Sequence, residues 1–460
     1  MTIHRLNGQA CPKSASDQNK ANEAQALCFE VRRLRIQKEL FLICNKPTLM
    51  NYRPLKQTER IDLIDAVRGF ALLGILMVNM PYMYEPMTAI LLGARPDASL
   101  DDIIAKSFIM FFFEGKFYVI FSMLFGFGFF IFLSKGKDYG NNILPVFSRR
   151  LFFLFLFGVA HIVLLWAGDI LLYYALFGFV LILFRNASDK KIVKWLLGLT
   201  LLPTILLTIM TSLVVLFSQI PEVKPEIDAQ FRENTLVISE LVERATLVYS
   251  TAGFAEIIAV RIEEFLSLLS GSLFFFCPLI LAMFLFGLLI ARRGIVANYP
   301  NYLPLFRKLF WWSLALGLIT NTLYLIASRY AVQSIPDGWS LLFMTMHTFG
   351  GLSLGLCYVS GIAILYIWGR GGFFTRYFAP IGRMALTNYL LQSILGAALF
   401  HSYGLGLYGK VAVWQGIVLT ILIFAGQVFF SRWWFTHFQF GPFEWLWRSL
   451  TYGKLQAMRK

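Results

Sequence analysis

Seven polar residues interrupt stretches that are otherwise almost wholly apolar: Asn79, Glu114, Lys116, His161, Asp169, His347 and Gln392. Polar and ionisable groups in such surroundings are costly to keep, so each is a functional candidate by default. Their types suit proton transfer. A carboxylate beside a histidine in a dry site orients the ring and raises its basicity. An Asn or Gln amide stabilises a developing oxyanion. His161 and His347 are the candidate bases, with Asp169 or Glu114 as the orienting acid and Asn79 as the polarising amide. Arg68, Lys116, Asn388 and Gln392 are candidate binding residues. Each has a plainer reading as well. His161 can join two helices by a hydrogen bond, Asp169 can cap a helix, Lys116 can snorkel to an interface, and Arg68 can fix topology.

The elements that must position these groups are transmembrane helices. The chain has 460 residues, of which 58% are hydrophobic and 15% charged, with 46 Phe; its mean hydropathy is +0.65. Soluble domains are far richer in charge. Apolar windows of bilayer length fall at about 67–84, 107–133, 147–165, 169–184, 193–217, 268–291, 309–328, 341–368, 378–400 and 411–431. The expected fold is therefore an all-α polytopic bundle of about ten spans. The fourth span is short for a bilayer.

The net charge of +15 is placed as topology demands rather than as nucleic-acid binding would place it. Lys and Arg gather in alternate short loops: Arg53, Lys56, Arg60 and Arg68; Lys135, Lys137, Arg149 and Arg150; Arg185, Lys190, Lys191 and Lys194; Arg292, Arg293, Arg307 and Lys308; then Arg370 and Arg376; and finally the tail. By the positive-inside rule both ends are cytoplasmic. Span directions then place the seven polar residues in the outer half of the bilayer, which argues for a polar pocket opening outward.

Four regions follow. Residues 1–57 read as a disordered or mis-assigned N-terminal extension, because Arg32, Arg33, Arg35 and Lys38 stop its apolar stretch from spanning. Residues 58–217 form a first transmembrane module. Residues 218–267 form an acidic extracytoplasmic loop with apolar residues at helical spacing, such as Leu236, Ile238, Leu241 and Val242, and read as one or two amphipathic helices. Residues 268–460 form a second module ending in an aromatic and basic interfacial tail. The five cysteines lie in no CxxC or Cys/His ligand spacing, and no metal site is expected. A Walker A loop, a Rossmann fingerprint and HExxH are all missing from the sequence.

Several stretches resemble the YeiB family of bacterial inner-membrane proteins. They are RIDLIDAVRGFALLGILMVN from Arg60 to Asn79, FEGKFYVIFSMLFGFG from Phe113 to Gly128, GVAH ending at His161, and WAGDILLYYALFG from Trp166 to Gly178. GRMALTNYLLQS from Gly382 to Ser393 and FGPFEWLWRSLTYGK from Phe440 to Lys454 resemble that family's C-terminal domain of unknown function. The first span also looks like that of transmembrane acyltransferases, including envelope-sugar acyltransferases and the lysosomal heparan-α-glucosaminide N-acetyltransferase. Those proteins carry an Arg, ten residues, then a His or Asn, and Arg68 and Asn79 match that spacing. This resemblance implies a bacterial inner-membrane protein that takes an acyl group from cytoplasmic acyl-CoA. The acceptor would be an extracytoplasmic or lipid-linked hydroxyl or amine, such as an envelope glycan or lipid. Arg68 would meet phosphate and Asn79 the acyl carbon. Acyl-CoA would be a co-substrate, with no permanently bound cofactor, and the lipid bilayer is the one partner always present. The envelope-sugar enzymes have His at the Asn79 position, so here the base must come from elsewhere. The same residues suit a transporter or flippase, or a non-catalytic scaffold, and the oligomeric state stays open.

Overall fold

A computed structural model describes residues 61–92, 99–138, 143–331 and 337–460. The expected N-terminal extension, with Cys11, Cys28 and Cys44, lies outside the described residues.

Apolar runs with few helix-breaking residues favour helix throughout, and no strand occurs among the described residues. One isolated antiparallel bridge joins Phe438 to Arg459. In chain order the helices that matter for the site are α1 (Asp62–Asn79), α2 (Pro81–Tyr84), α3 (Leu100–Phe112), α4 (Phe117–Asp138), α5 (Leu144–Leu164) and α6 (Leu171–Ile182). They continue with α7 (Asp189–Phe217), α8 (Lys224–Thr251), α9 (Phe254–Gly271), α10 (Cys277–Arg292), α11 (Leu303–Tyr330) and α12 (Gly338–Ile367). The chain closes with α13 (Gly372–Tyr377), α14 (Ala379–Arg383), α15 (Ala385–Phe400), α16 (Val413–His437) and α17 (Pro442–Tyr452).

Among the described residues, seven helical stretches are long and apolar enough to cross a membrane: Leu100–Ser134, Leu144–Leu164, Asp189–Phe217, Phe254–Arg292, Tyr299–Tyr330, Gly338–Ile367 and Val413–His437. The remaining expected spans correspond to α1, α6 and α15. The apolar helices α6 and α15 are shorter than a full crossing, at 12 and 16 residues. Helix α1 carries Asp62, Asp65 and Arg68 in its first two turns. Large apolar side chains face outward on the long helices, among them Ile205 and Ile209 on α7, Trp311 and Trp312 on α11, and Phe429 on α16. Outward-facing apolar surface is what a lipid solvent requires. The protein is therefore an all-α, multi-pass membrane protein.

Small residues let the innermost helices approach closely. A Cβ added at Gly126 would lie 1.9 Å from the Phe284 carbonyl oxygen, and one at Gly287 would lie 1.9 Å from that of Met123. Helices α4 and α10 therefore cross with their backbones almost touching, and the central bundle is built around them.

The span expected as one helix over 107–133 is broken. Phe113–Lys116 form a turn between α3 and α4, and Gly115 adopts φ +83°. Glu114 and Lys116 are thus turn residues rather than neighbours on one helix. Residues 218–267 fold mostly as α8 and α9, and α9 runs through a π-helical stretch, Ser272–Phe276, into α10. Helix α16 extends to His437, and α17 folds back against α5, with the Arg150 guanidinium 3.7 Å from the Trp447 ring centre.

Candidate functional site

The site begins at the end of α5. His161 lies in the last turn of that helix, and the chain reverses through Trp166–Ile170 into α6. The reversal is fixed from two sides. Trp166 Nε1 donates to the Tyr82 carbonyl at 2.9 Å, and the buried Arg261 on α9 donates to the Val163 carbonyl at 2.8 Å. Asp169 uses both carboxylate oxygens. Oδ2 accepts from the Leu172 N–H at 2.5 Å and so caps α6. Oδ1 lies 2.9 Å from His161 Nδ1, with both side chains wholly buried. The two atoms stand at ion-pair distance, and the ring is turned so that no hydrogen bond forms between them in this structure. Capping and pairing are therefore one arrangement: the helix N-terminus holds the carboxylate in place beside the ring.

His161 Nε2 meets Ser393 Oγ at 2.8 Å. A carboxylate only accepts hydrogen bonds, so it favours the proton on Nδ1 and leaves the Nε2 lone pair facing the serine hydroxyl. Tyr389, one turn before Ser393 on α15, lies against the imidazole at 5.1 Å between ring centres. Asp169, His161 and Ser393 thus form a buried acid–base–hydroxyl chain.

Beside it lies a cavity of about 330 Å³, lined in part by Asn79, Tyr82, Trp166, Asp169, Tyr173 and Tyr389. Three interruptions of regular helix also border it: the α3–α4 turn through Phe113 and Gly115, the π-helical stretch through Ser272 and Phe276, and the Trp166–Ile170 reversal. Asn79 is the last residue of α1, and its amide forms no hydrogen bond with a described residue. Irregular backbone within a bundle is tolerated where it lines a cavity, and π-bulges recur at functional sites.

The other sequence-selected residues fall into separate groups. Lys116 is buried; its Nζ donates to the Met110 carbonyl at 2.8 Å and to Asn321 Oδ1 at 2.5 Å. Glu114 is within electrostatic reach of Lys116, His347, Tyr82 and Tyr324. His347 packs on the Tyr324 ring, 5.3 Å between centres. This second cluster meets the cavity through Gly115. Asn388 and Gln392 face α16 instead: Asn388 Nδ2 donates to Ser431 Oγ at 3.1 Å, and Gln392 Nε2 to Gln427 Oε1 at 2.9 Å. Helix α15 thus carries two polar stripes, 388/392 toward α16 and 389/393 toward His161. Arg68 pairs with Asp65 at 2.9 Å and reaches the Gly382 carbonyl at 3.4 Å. Ser393 and Asn321 were not singled out from the sequence. Ser393 closes the motif GRMALTNYLLQS, yet nothing in its neighbourhood marks it as a partner of His161.

Outside the spans, the tail makes one notable contact. Glu444 on α17 accepts from the Leu386 and Thr387 N–H groups at 2.6 and 3.1 Å, and from Thr387 Oγ1 at 2.6 Å. It therefore caps α15, the helix that carries Ser393. Burial pushes its carboxyl above the ordinary carboxylate range, against these hydrogen bonds.

Membrane-length helices around a buried acid–histidine–serine chain and an aromatic-walled cavity define a multi-pass helical membrane protein with one candidate reaction site. The family described as Protein of unknown function (DUF418) matches residues 290–454. The chain is 32% identical over 427 residues to the uncharacterized protein YxaH of Bacillus subtilis (strain 168), covering 90% of this chain and 99% of that protein. It is 28% identical over 397 residues to the uncharacterized protein YeiB of Escherichia coli (strain K12), covering 85% of this chain and 96% of that one. The chain belongs to this YeiB-type, DUF418-containing family.

Proposed function

We propose that the protein transfers an acyl group across the bacterial inner membrane, from a cytoplasmic acyl-CoA to an extracytoplasmic or lipid-linked hydroxyl or amine. The observation that carries this reading is the Asp169–His161 pair beside a cavity that also has Asn79 in its wall. In it, His161 is the base, Asp169 holds the ring and its tautomer, and Asn79 polarises the acyl carbonyl. The cavity suits a small acyl group and the atoms that attack it.

The donor end of the reading rests on charge. Arg150 lies within electrostatic reach of both Arg68 and Arg448. Like charges gathered together favour an anion among them, such as the phosphates of CoA. About 16 Å of helix separates Arg68 from Asn79, roughly half the hydrocarbon thickness. An extended pantetheine arm spans such a distance. Ten spans with both ends cytoplasmic complete the reading, supported by the alternation of Lys and Arg between loops.

A second reading, transport, is favoured by the helix breaks at Phe113–Lys116 and Ser272–Phe276, which border one cavity. Discontinuous helices are a transporter feature.

Binding of acetyl-CoA to the detergent-purified protein separates the two. Calorimetry and thermal shift are run on wild type and Arg68→Ala. Saturable binding that weakens at least tenfold in the variant is the expected result. A folded protein that acetyl-CoA and longer acyl-CoAs neither bind nor stabilise would remove the acyl-transfer reading.

A further inference from the structure

We infer that Ser393 is a covalent nucleophile and that the acyl group passes through an ester on its Oγ; this deepens the acyl-transfer reading and rests on it. The geometry is that of an activated hydroxyl: nucleophile to base 2.8 Å, base to orienting carboxylate 2.9 Å, with all three residues buried. A nucleophile and base within about 2.6–3.2 Å, with the base held by a third group, are the signature of nucleophilic catalysis.

The bland alternative is a serine that merely ties two helices together. Buried Ser and Thr in these helices usually satisfy their hydroxyl on a carbonyl one turn back. Ser360 bonds the Leu356 carbonyl at 2.7 Å and Thr420 that of Gly416 at 2.9 Å. Ser393 forms no such bond among the described residues, and its hydroxyl is turned to His161 Nε2. With the ring proton on Nδ1, the side that faces the Asp169 carboxylate, the serine proton is directed at the Nε2 lone pair that a base would use. A neutral helix tie also needs no carboxylate behind the ring, whereas here one is held there by the α6 N-terminus.

The steps balance without a further co-reactant. Ser393 Oγ attacks the thioester carbonyl while its proton passes to His161 Nε2. The C–S bond breaks, and the departing sulfur takes that proton to leave as free thiol. The acceptor hydroxyl or amine then attacks the Ser393 ester and gives its proton to Nε2. The ester C–O bond breaks, and His161 returns the proton to Ser393. Asp169 stabilises the imidazolium in each half-reaction.

Access runs past Tyr389. Its ring both lines the cavity and covers His161, and its hydroxyl is held to the Gly168 carbonyl by a long 3.4 Å bond. Moving this one side chain would uncover the face of His161 that it covers, on the side where it meets the cavity.

A fluorophosphonate probe tests the nucleophile without assuming any donor. Nanodisc-reconstituted wild type and Tyr389→Ala are treated with the probe, and the adduct is mapped by peptide mass spectrometry. The expected result is an adduct on Ser393, faster in Tyr389→Ala and slower by about 10²-fold or more in His161→Gln. No Ser393 adduct in either folded protein overturns the inference. A parallel assay follows free CoA released from acetyl-CoA. Release at the wild-type rate in Ser393→Ala overturns the covalent route and leaves direct transfer standing. A Ser393 adduct in a protein that never consumes acyl-CoA upholds the nucleophile and removes the CoA-dependent reading.

Discussion

Replacing Asp169 by Asn tests the chemistry while sparing the fold. In the wild type one carboxylate oxygen caps α6 through Leu172 and the other faces His161 Nδ1. An Asn keeps a carbonyl oxygen for the cap, and Asn and Asp are about equal as helix caps. The amide nitrogen then faces Nδ1 and donates to it. That places the ring proton on Nε2, where it points at Ser393 and the ring no longer accepts a proton. In serine–histidine–aspartate enzymes this change of tautomer lowers kcat by about 10⁴, so a loss of about 10³–10⁴ is expected here. Asp169→Ala adds to this the loss of the cap, about 1 kcal/mol of stability. The assay is release of free CoA thiol from acetyl-CoA by nanodisc-reconstituted protein supplied with an envelope glycolipid extract. Thermal unfolding is measured on the same samples. An Asp169→Asn protein that melts like wild type and retains more than a tenth of its rate would refute the assigned role of the pair.

Two further outcomes follow from the supporting elements. Gly115→Ala forces a side chain onto φ +83° and places its Cβ 3.1 Å from His347 Nε2, so it should cost about 1–2 kcal/mol; an unchanged melting temperature would contradict the strained turn. Glu444 carries a raised carboxyl pKa in the fold, so the native state holds its proton more tightly than the unfolded chain. Its contribution to stability is fully present below the ordinary value of 4.5 and is lost as pH rises through the raised value. The melting temperature of wild type relative to Glu444→Gln should therefore fall as pH rises across that window, and a rising difference would contradict the burial argument.

The apolar windows revealed most of the helices, because length and composition alone decide what a bilayer accepts. The break between α3 and α4 was hidden. FFFEGKF is as apolar as its flanks apart from Glu114 and Lys116, and Gly115 alone signals a residue at positive φ. His161 and Asp169 were legible as candidates because both are polar in apolar context, and the short Trp166–Ile170 reversal brings them to the same end of two adjacent helices. Their pairing, rather than a pairing with His347 or Glu114, needed the structure. Ser393 stood 232 positions away from His161, and a serine in an apolar helix is too common to stand out. Asn388 and Gln392 looked like site residues by type, yet the register of α15 turns them toward α16, one position away from the face that meets His161.

The most direct test of acyl transfer is a mass balance on acetyl-CoA in nanodiscs with envelope acceptors, comparing wild type with His161→Ala. Free CoA is expected to appear in step with acetylated acceptor, and both are expected to fall to background in the variant. A folded wild type that leaves acetyl-CoA intact, or that moves an unmodified substrate across proteoliposome membranes without consuming it, would contradict the account.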